Sequence, residues 1–186
     1  MEDHLKKVNI SGTNSRYQIK KLIAPRDTVN KHQRRINSTN WDEHAEIYTY
    51  TKQFQVIHDI SNNKCDIVDD VTKIFIQEIS KKISGYKQQD KLKHRYDNEK
   101  FITFVSVIEK MCECDLKCRY CQKEMLVVYD IMRESKQWSV DRIDNDIGHN
   151  IGNFHLACLE CNLSRRRRTD EKFLFTKQLN IIKREN

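Results

Sequence analysis

Residues 138–162 read WSVDRIDNDIGHNIGNFHLACLECN, and a basic run, Ser164 to Arg168, follows Leu163. Trp138 to Asp141 has the character of a strand, and so does the Phe-His-Leu-Ala run that follows Asn153. A loop rich in Asp, Asn and Gly lies between them, and a helix is expected to start near Cys158. The order strand, loop, strand, helix is therefore written into twenty-five residues. It closes on Cys158-x2-Cys161, and 36 residues separate this from a second such pair, Cys118-x2-Cys121. One CxxC pair alone is shared with redox dithiols. Two pairs closing a loop of this size match the ligand spacing of a tetrahedral zinc held by four thiolates. A sheet this small buries too little apolar surface to hold itself, so zinc binding is expected to supply much of its folding free energy. Cys112 and Cys114 are rival ligands just upstream, and Cys65 is expected to be a small buried hydrophobe.

Working outward, Met125 to Tyr129 reads as a further strand. An amphipathic helix is expected from about Asn98 to Cys112, with Phe101, Val105, Ile108 and Cys112 on one face. Residues 85–100 carry both charge signs and almost no apolar side chain, as in a linker or an exposed helix. Before them, Ile67, Val71, Ile74, Phe75, Ile79 and Ile83 line one face of a helix over 66–84. Asp69 and Asp70 favour its first turn, and Gly85 stands where a C-terminal cap belongs. Trp41 to Ile60 is read as helix on the spacing of Ile47, Tyr50, Phe54 and Ile57, with a strand as the alternative for Tyr48, Tyr50 and their intervening threonines. Phe173, Leu174, Leu179 and Ile182 suggest a terminal helix. The expected organisation is a basic arm or irregular lobe at 1–40, a helical region at 41–90 with a boundary near Asp90, and a zinc-framed domain at 91–186.

Composition bounds the rest. Hydrophobic residues make up 38% and charged residues 33% of the 186, with mean hydropathy −0.80, so the core must be modest. No apolar run is long enough to cross a bilayer, and MEDHLKKVNI has no apolar signal region, which argues against a membrane partner and against secretion. Seven cysteines without a secretory signal fit a reducing, intracellular setting (cytoplasm or host nucleus). The net charge of +7 is concentrated: residues 1–40 hold nine Lys/Arg against three Asp/Glu, and Arg165, Arg166, Arg167 and Arg168 form a second focus. Such patches attract polyanions.

The motif VDRIDND, GHN and GNFHLACLECN, set between the two CxxC pairs, resembles the ββα-metal fold of HNH endonucleases. Within that family it is similar to the zinc-framed branch that includes phage recombination endonuclease VII and proteins of large DNA viruses. The resemblance covers roughly residues 98–170. It implies an α+β protein, mostly helical at the N-terminal side with a small zinc-bound ββα-metal domain, that hydrolyses DNA phosphodiester bonds. It further implies that Asp141 and Asn162 hold a catalytic Mg²⁺ or Mn²⁺, with Asn153 (or Asn150) pinning the loop between the strands. A metal that keeps several waters and takes one or two oxygen ligands from the protein suits that pair.

The chain departs from the family at one position. Where a histidine usually follows the metal-binding Asp, this sequence has Arg142, which stays protonated and is not a general base. Arg142 is then a phosphate ligand or a charge neutraliser, and the proton falls to His149, to Asp144 or to bulk water. On the helix, Arg165 and Arg166 share the face of Asn162. The four arginines are expected to engage phosphate. The substitution also leaves open a catalytically inactive zinc module that binds nucleic acid, or a zinc-scaffolded protein that binds other proteins. A second copy of the chain is a further candidate partner.

Overall fold

In a computed structural model of the chain, residues 33–35, 41, 44–62 and 69–179 are described. The chain divides into Met1–Gln33 and Arg34–Asn186, and the elements below all belong to the second unit. The expected basic arm at 1–40, Cys65, Ile67 and Ile182 lie outside the described residues, except for Gln33, Arg34 and Arg35. Those two arginines dock on the body. Arg34 bridges to Ile131, and Arg35 donates to the Tyr129 carbonyl (3.0 Å) and to Glu78 (2.5 Å).

The architecture is α+β, as the sequence reading expects. Helices α1 (Tyr50–Ser61), α2 (Asp70–Leu92) and α3 (Phe104–Glu113) precede an antiparallel hairpin of β1 (Trp138–Arg142) and β2 (Phe154–Cys158). Helices α4 (Leu159–Arg165) and α5 (Asp170–Gln178) follow. The hairpin register pairs Trp138 with Cys158, Val140 with Leu156 and Asp141 with His155. Ile57, Phe75, Ile79, Val107, Met111, Leu116, Met125 and Trp138 contribute to one buried cluster, so helices and cysteine-framed segment share a core.

The first three helix starts each have a local cause. Thr49 caps α1 through Lys52 N–H, and Asp69 caps α2 through Thr72 N–H (2.7 Å). Thr103 and Ser106 form a reciprocal capping box at the start of α3, which is why that helix begins at Phe104 and not near Asn98. The long helix also differs from expectation. Gly85 does not end it; α2 runs on through Gly85 to Leu92. A glycine costs a helix only about 1 kcal/mol, and the extra turns are held by polar side chains on one face. Lys82 donates to the Trp138 carbonyl, Tyr86 oxygen accepts from Val140 N–H (3.0 Å), and Asp90 is fully buried against His149. Residues 82, 86 and 90 recur every fourth position, so this face of α2 covers the free edge of β1 and satisfies its backbone groups.

Met125 to Tyr129 forms no strand and bends at Val127 and Val128. Leu126 makes a single bridge to Gln137, and Met125 N–H bonds to the Leu116 carbonyl. The buried side chain of Gln53 takes up the middle of the segment, accepting from Val127 and Val128 N–H and donating to the Val128 carbonyl at 2.8 Å. A helix side chain thus replaces the neighbouring strand. In α5 only Phe173 of the expected apolar face is fully buried; Leu174 is partly so and Leu179 is exposed. No described helix is long and apolar enough to cross a membrane.

Candidate functional site

The two cysteine pairs converge. The Sγ atoms of Cys118, Cys121, Cys158 and Cys161 all lie within 4.8 Å of one another, and Cys121 and Cys158 are 3.9 Å apart. Thiolates around a tetrahedral zinc at ~2.3 Å sit about 3.8 Å from each other, whereas a disulfide would bring two of them to ~2.05 Å. The four are free thiols at metal-sharing distance, so the donor set fits a structural zinc. Crowding splits their proton affinities. A hydrogen bond with Cys158 holds the Cys118 thiol down at about 5, and the same bond pushes Cys158 up. Backbone contacts tie the knuckle to the hairpin, since Arg119 N–H donates to the Leu156 carbonyl in β2 (3.0 Å). Cys112 and Cys114 stand outside the cluster. Among the described residues no other group of three or more His, Cys, Asp or Glu side chains is placed to share an ion.

The knuckle also sends Tyr120 inward. Its ring is buried edge-on against Phe173, and its hydroxyl lies 2.5 Å from Asp141 Oδ2 and 2.8 Å from Asp170 Oδ1. One O–H serves one carboxylate at a time, and burial beside two acids raises the phenol above its usual range. Asp141 is itself buried. Arg165 grips it with a two-pronged ion pair, Nε to Oδ2 at 2.8 Å and Nη2 to Oδ1 at 3.0 Å. Arg165 also donates to the carbonyls of Arg142 and, at 2.6 Å, Arg168. Expected on a phosphate-facing surface, Arg165 is instead only 1% exposed. It is a clamp between α4 and β1, because an arginine this deep needs a carboxylate and carbonyls around it.

The other predicted residues meet around a cleft. Asp141, Arg142, His149 and Asn162 line one cavity of about 390 Å³, together with Lys82, Tyr86 and Gln89 of α2. Asn145 and Arg142 also line a second, larger cavity of about 740 Å³, walled by Lys93, Arg95, Arg166, Arg167 and Arg168 as well as by Asp144 and Asp146. The two cavities therefore adjoin. Arg166 and Arg167 are exposed there; Arg168 is exposed too, but it bends back to the Ser164 carbonyl and over Phe173.

The loop between the strands is held by Asn153. Its side chain accepts from Asp144 N–H (2.9 Å) and donates to the carbonyls of Asp144 and Gly148, each at 3.0 Å. The runner-up, Asn150, is buried with its side-chain oxygen unpaired. Asp144 uses its own carboxylate on Asp146 N–H (2.8 Å), and it lines the larger cavity, not the one with Asp141. Arg142 donates to the Ile147 carbonyl at 2.9 Å, which turns it along the loop.

His149 is nearly fully buried. Its ring stacks on Tyr86 at 4.6 Å between centroids, and its Nδ1 lies 2.8 Å from Asp90 Oδ1. Burial pulls its pKa below the usual 6.5, against the opposing pull of Asp90. A neutral imidazole is therefore favoured at neutral pH. Lys82 lines the same cavity over the rings of Trp138 and Tyr129, and burial with the Arg35 charge nearby brings its ammonium down to about 7.

A divalent metal at Asp141 and Asn162 has limited room. Three of the roughly four lone-pair positions of the Asp141 carboxylate are taken by Tyr120 and Arg165. Asn162 commits its amide nitrogen to Ser139 Oγ (3.0 Å) and the Val140 carbonyl (3.2 Å), which leaves its carbonyl oxygen to offer a cation. Asp141 thus keeps about one lone-pair position and Asn162 its amide oxygen, a small donor set of the hard kind that Mg²⁺ takes from a protein when it keeps most of its water.

Sequence reasoning missed Tyr86, Asp90, Lys82 and Tyr120. Tyr86 and Asp90 stand in a stretch whose charges suggest a linker, Lys82 lies one turn earlier in a helix read for its apolar face, and Tyr120 sits between two zinc-type cysteines. The molecule is thus a mixed α+β protein in which a four-cysteine cluster, competent for zinc, frames an antiparallel hairpin followed by a helix. No known family model, curated protein or solved structure matches the chain.

Proposed function

We propose that the protein is a zinc-framed endonuclease that hydrolyses DNA phosphodiester bonds with the help of Mg²⁺ or Mn²⁺. The observation that carries this reading is the meeting of Asp141, Arg142, His149 and Asn162 on one cavity that adjoins an arginine-lined groove. The groove supplies salt-dependent attraction for the phosphate backbone through Lys93, Arg95, Arg166 and Arg167. His149 takes the proton of the attacking water as that oxygen bonds to phosphorus and the P–O bond to the leaving oxygen breaks. Arg142 neutralises phosphate charge from the junction of the two cavities. Asp141 and Asn162 would hold the metal, which supplies charge stabilisation at the scissile phosphate.

The test is nicking of supercoiled plasmid by zinc-loaded protein in Mg²⁺, Mn²⁺ or EDTA, with His149→Gln and Asn162→Ala beside wild type. The expected result is metal-dependent nicking, reduced on the order of 10²-fold or more in each variant. Nicking that survives both substitutions would reject the site. A second reading, a non-catalytic nucleic-acid-binding module, is favoured by the engagement of Asp141 with Arg165 and Tyr120. It predicts salt-sensitive DNA binding with no nicking in any metal.

A further inference from the structure

His149 and Asp90 are 59 residues apart in sequence, yet both oxygens of the Asp90 carboxylate are spent on this one histidine. Oδ2 accepts the His149 backbone N–H at 2.6 Å, and Oδ1 lies 2.8 Å from the ring Nδ1. Asp90 is 0% exposed and is carried on the last turn of α2, outside the segment that resembles the nuclease family. Gly148 makes the approach feasible. A Cβ there would stand 2.9 Å from Asp90 Oδ2 and 2.4 Å from the Arg95 carbonyl oxygen.

An ionised carboxylate only accepts, so the hydrogen between Asp90 and His149 belongs to Nδ1. A neutral imidazole with Nδ1–H has its lone pair on Nε2, the nitrogen left for the cavity that His149 lines. Tyr86, one turn before Asp90 on the same helix, stacks on the ring and fixes its plane. We propose that Asp90 is the positioning residue that fixes His149 as the Nδ1–H tautomer and so keeps Nε2 ready to accept the proton of the attacking water. This rests on the nuclease reading for its purpose, though not for its geometry. The helical region then contributes half of the working site: hairpin and α4 supply Arg142, Asp141 and Asn162, and α2 supplies the group that orients the base.

The groups facing His149 are Asp90 and Tyr86 from α2, Lys93 just beyond it and Arg142 from β1. Among these, Asp90 alone can dictate the tautomer by direct contact with the ring nitrogen. An amide at position 90 can still accept the backbone N–H, but it turns its NH₂ toward Nδ1 and drives the ring hydrogen to Nε2.

The experiment is ¹⁵N NMR of the histidine rings in the full, zinc-loaded chain, with His149 assigned by His149→Gln, run beside the nicking assay for wild type and Asp90→Asn. The expected result is a neutral Nδ1–H ring in wild type and an Nε2–H ring in Asp90→Asn. Nicking should fall on the order of 10²- to 10⁴-fold, with its pH profile altered. An Nε2–H ring in the wild type, or a variant whose tautomer and pH profile are unchanged, would overturn the assignment. The wild-type spectrum tests it even if the variant fails to fold. The predicted tautomer in a protein that never nicks DNA would sink the nuclease reading and leave Asp90 in its role; nicking with the opposite tautomer would do the reverse.

Discussion

Replacing Arg165 with alanine separates two roles that the sequence alone runs together. As a phosphate ligand, Arg165 would affect DNA affinity and leave folding alone. The structure gives it a different task. Its guanidinium is buried, pairs with both oxygens of Asp141 and reaches the carbonyls of Arg142 and Arg168. Removing it leaves a carboxylate that is only 4% exposed without its counter-charge, with the Tyr120 hydroxyl as its remaining partner. Breaking a buried pair from one side costs roughly 3–5 kcal/mol, most of it the penalty of the uncompensated charge. For a unit of this size each kcal/mol moves the melting temperature by about 2–4 °C, so Arg165→Ala should lower Tm by about 6–20 °C.

The controls lie next to it in sequence. Arg166 and Arg167 are exposed, so their alanine variants should stay within about 0.5 kcal/mol of wild type. They should lose DNA affinity at low salt, with the slope of log affinity against log salt shallower by about one for each phosphate that is no longer neutralised. Thermal melts of zinc-loaded protein and salt-titrated DNA binding, run on all three variants, make the comparison. If Arg165→Ala melts within about 2 °C of wild type and loses DNA affinity instead, the clamp is misassigned. Asp141→Asn combined with Arg165→Met adds a check, because the pair should show a coupling of about 1–3 kcal/mol in a double-mutant cycle.

Three further perturbations follow from the same geometry. Purified protein should carry one zinc per chain, and Cys158→Ser or a strong chelator should remove it and melt the hairpin; zinc-free protein with an unchanged near-ultraviolet circular dichroism spectrum would contradict this. Gly148→Ala should destabilise by about 1–3 kcal/mol, since its Cβ meets the Arg95 backbone, while Gly85→Ala, with open space around it inside α2, should stabilise by about 0.5–1 kcal/mol; denaturant midpoints decide both. His149 has its pKa lowered by burial, so between that lowered value and 6.5 the unfolded chain binds more protons than the folded one. Its contribution is full above about pH 6.5 and is lost as pH falls toward the folded pKa, and His149→Gln should flatten the stability–pH curve on that acid side.

How much of this was legible depends on the range of the interaction that decides each feature. The hairpin, the helix after Cys158 and the four-cysteine cluster rest on spacings within a few residues, and Asn153 reaches carbonyls and N–H groups no more than nine residues away. These can be read from the sequence. The reading fails where a distant partner overrules local preference. Met125 to Tyr129 has the composition of a strand, but its backbone is claimed by Gln53, over seventy residues earlier. Gly85 looks like a helix end, but α2 gains more from covering β1 than it loses at one glycine. The face of Arg165 was foreseeable from its spacing to Asn162; its direction was not, since that depends on where Asp141 lies after folding.

The long helix changes what Arg142 beside Asp141 means. The hairpin loop itself carries His149 into one cavity with Arg142, and the partner that fixes the ring comes from α2. Along α2, Glu78, Lys82, Tyr86 and Asp90 recur every four residues and meet in turn Arg35, the Trp138 carbonyl, Val140 N–H and His149. This polar stripe is costly to bury unless every member finds its partner, and each one does. The outer edge of β1 is thereby closed, and His149 is pressed into the cavity of Asp141 and Asn162 with one nitrogen already committed. Apolar side chains would cover the same edge but leave Val140 N–H and the Trp138 carbonyl without these partners, so the stripe is more than a cover. Its value lies in direction: it sets the register of the helix against the hairpin and, at its last member, the orientation of an imidazole.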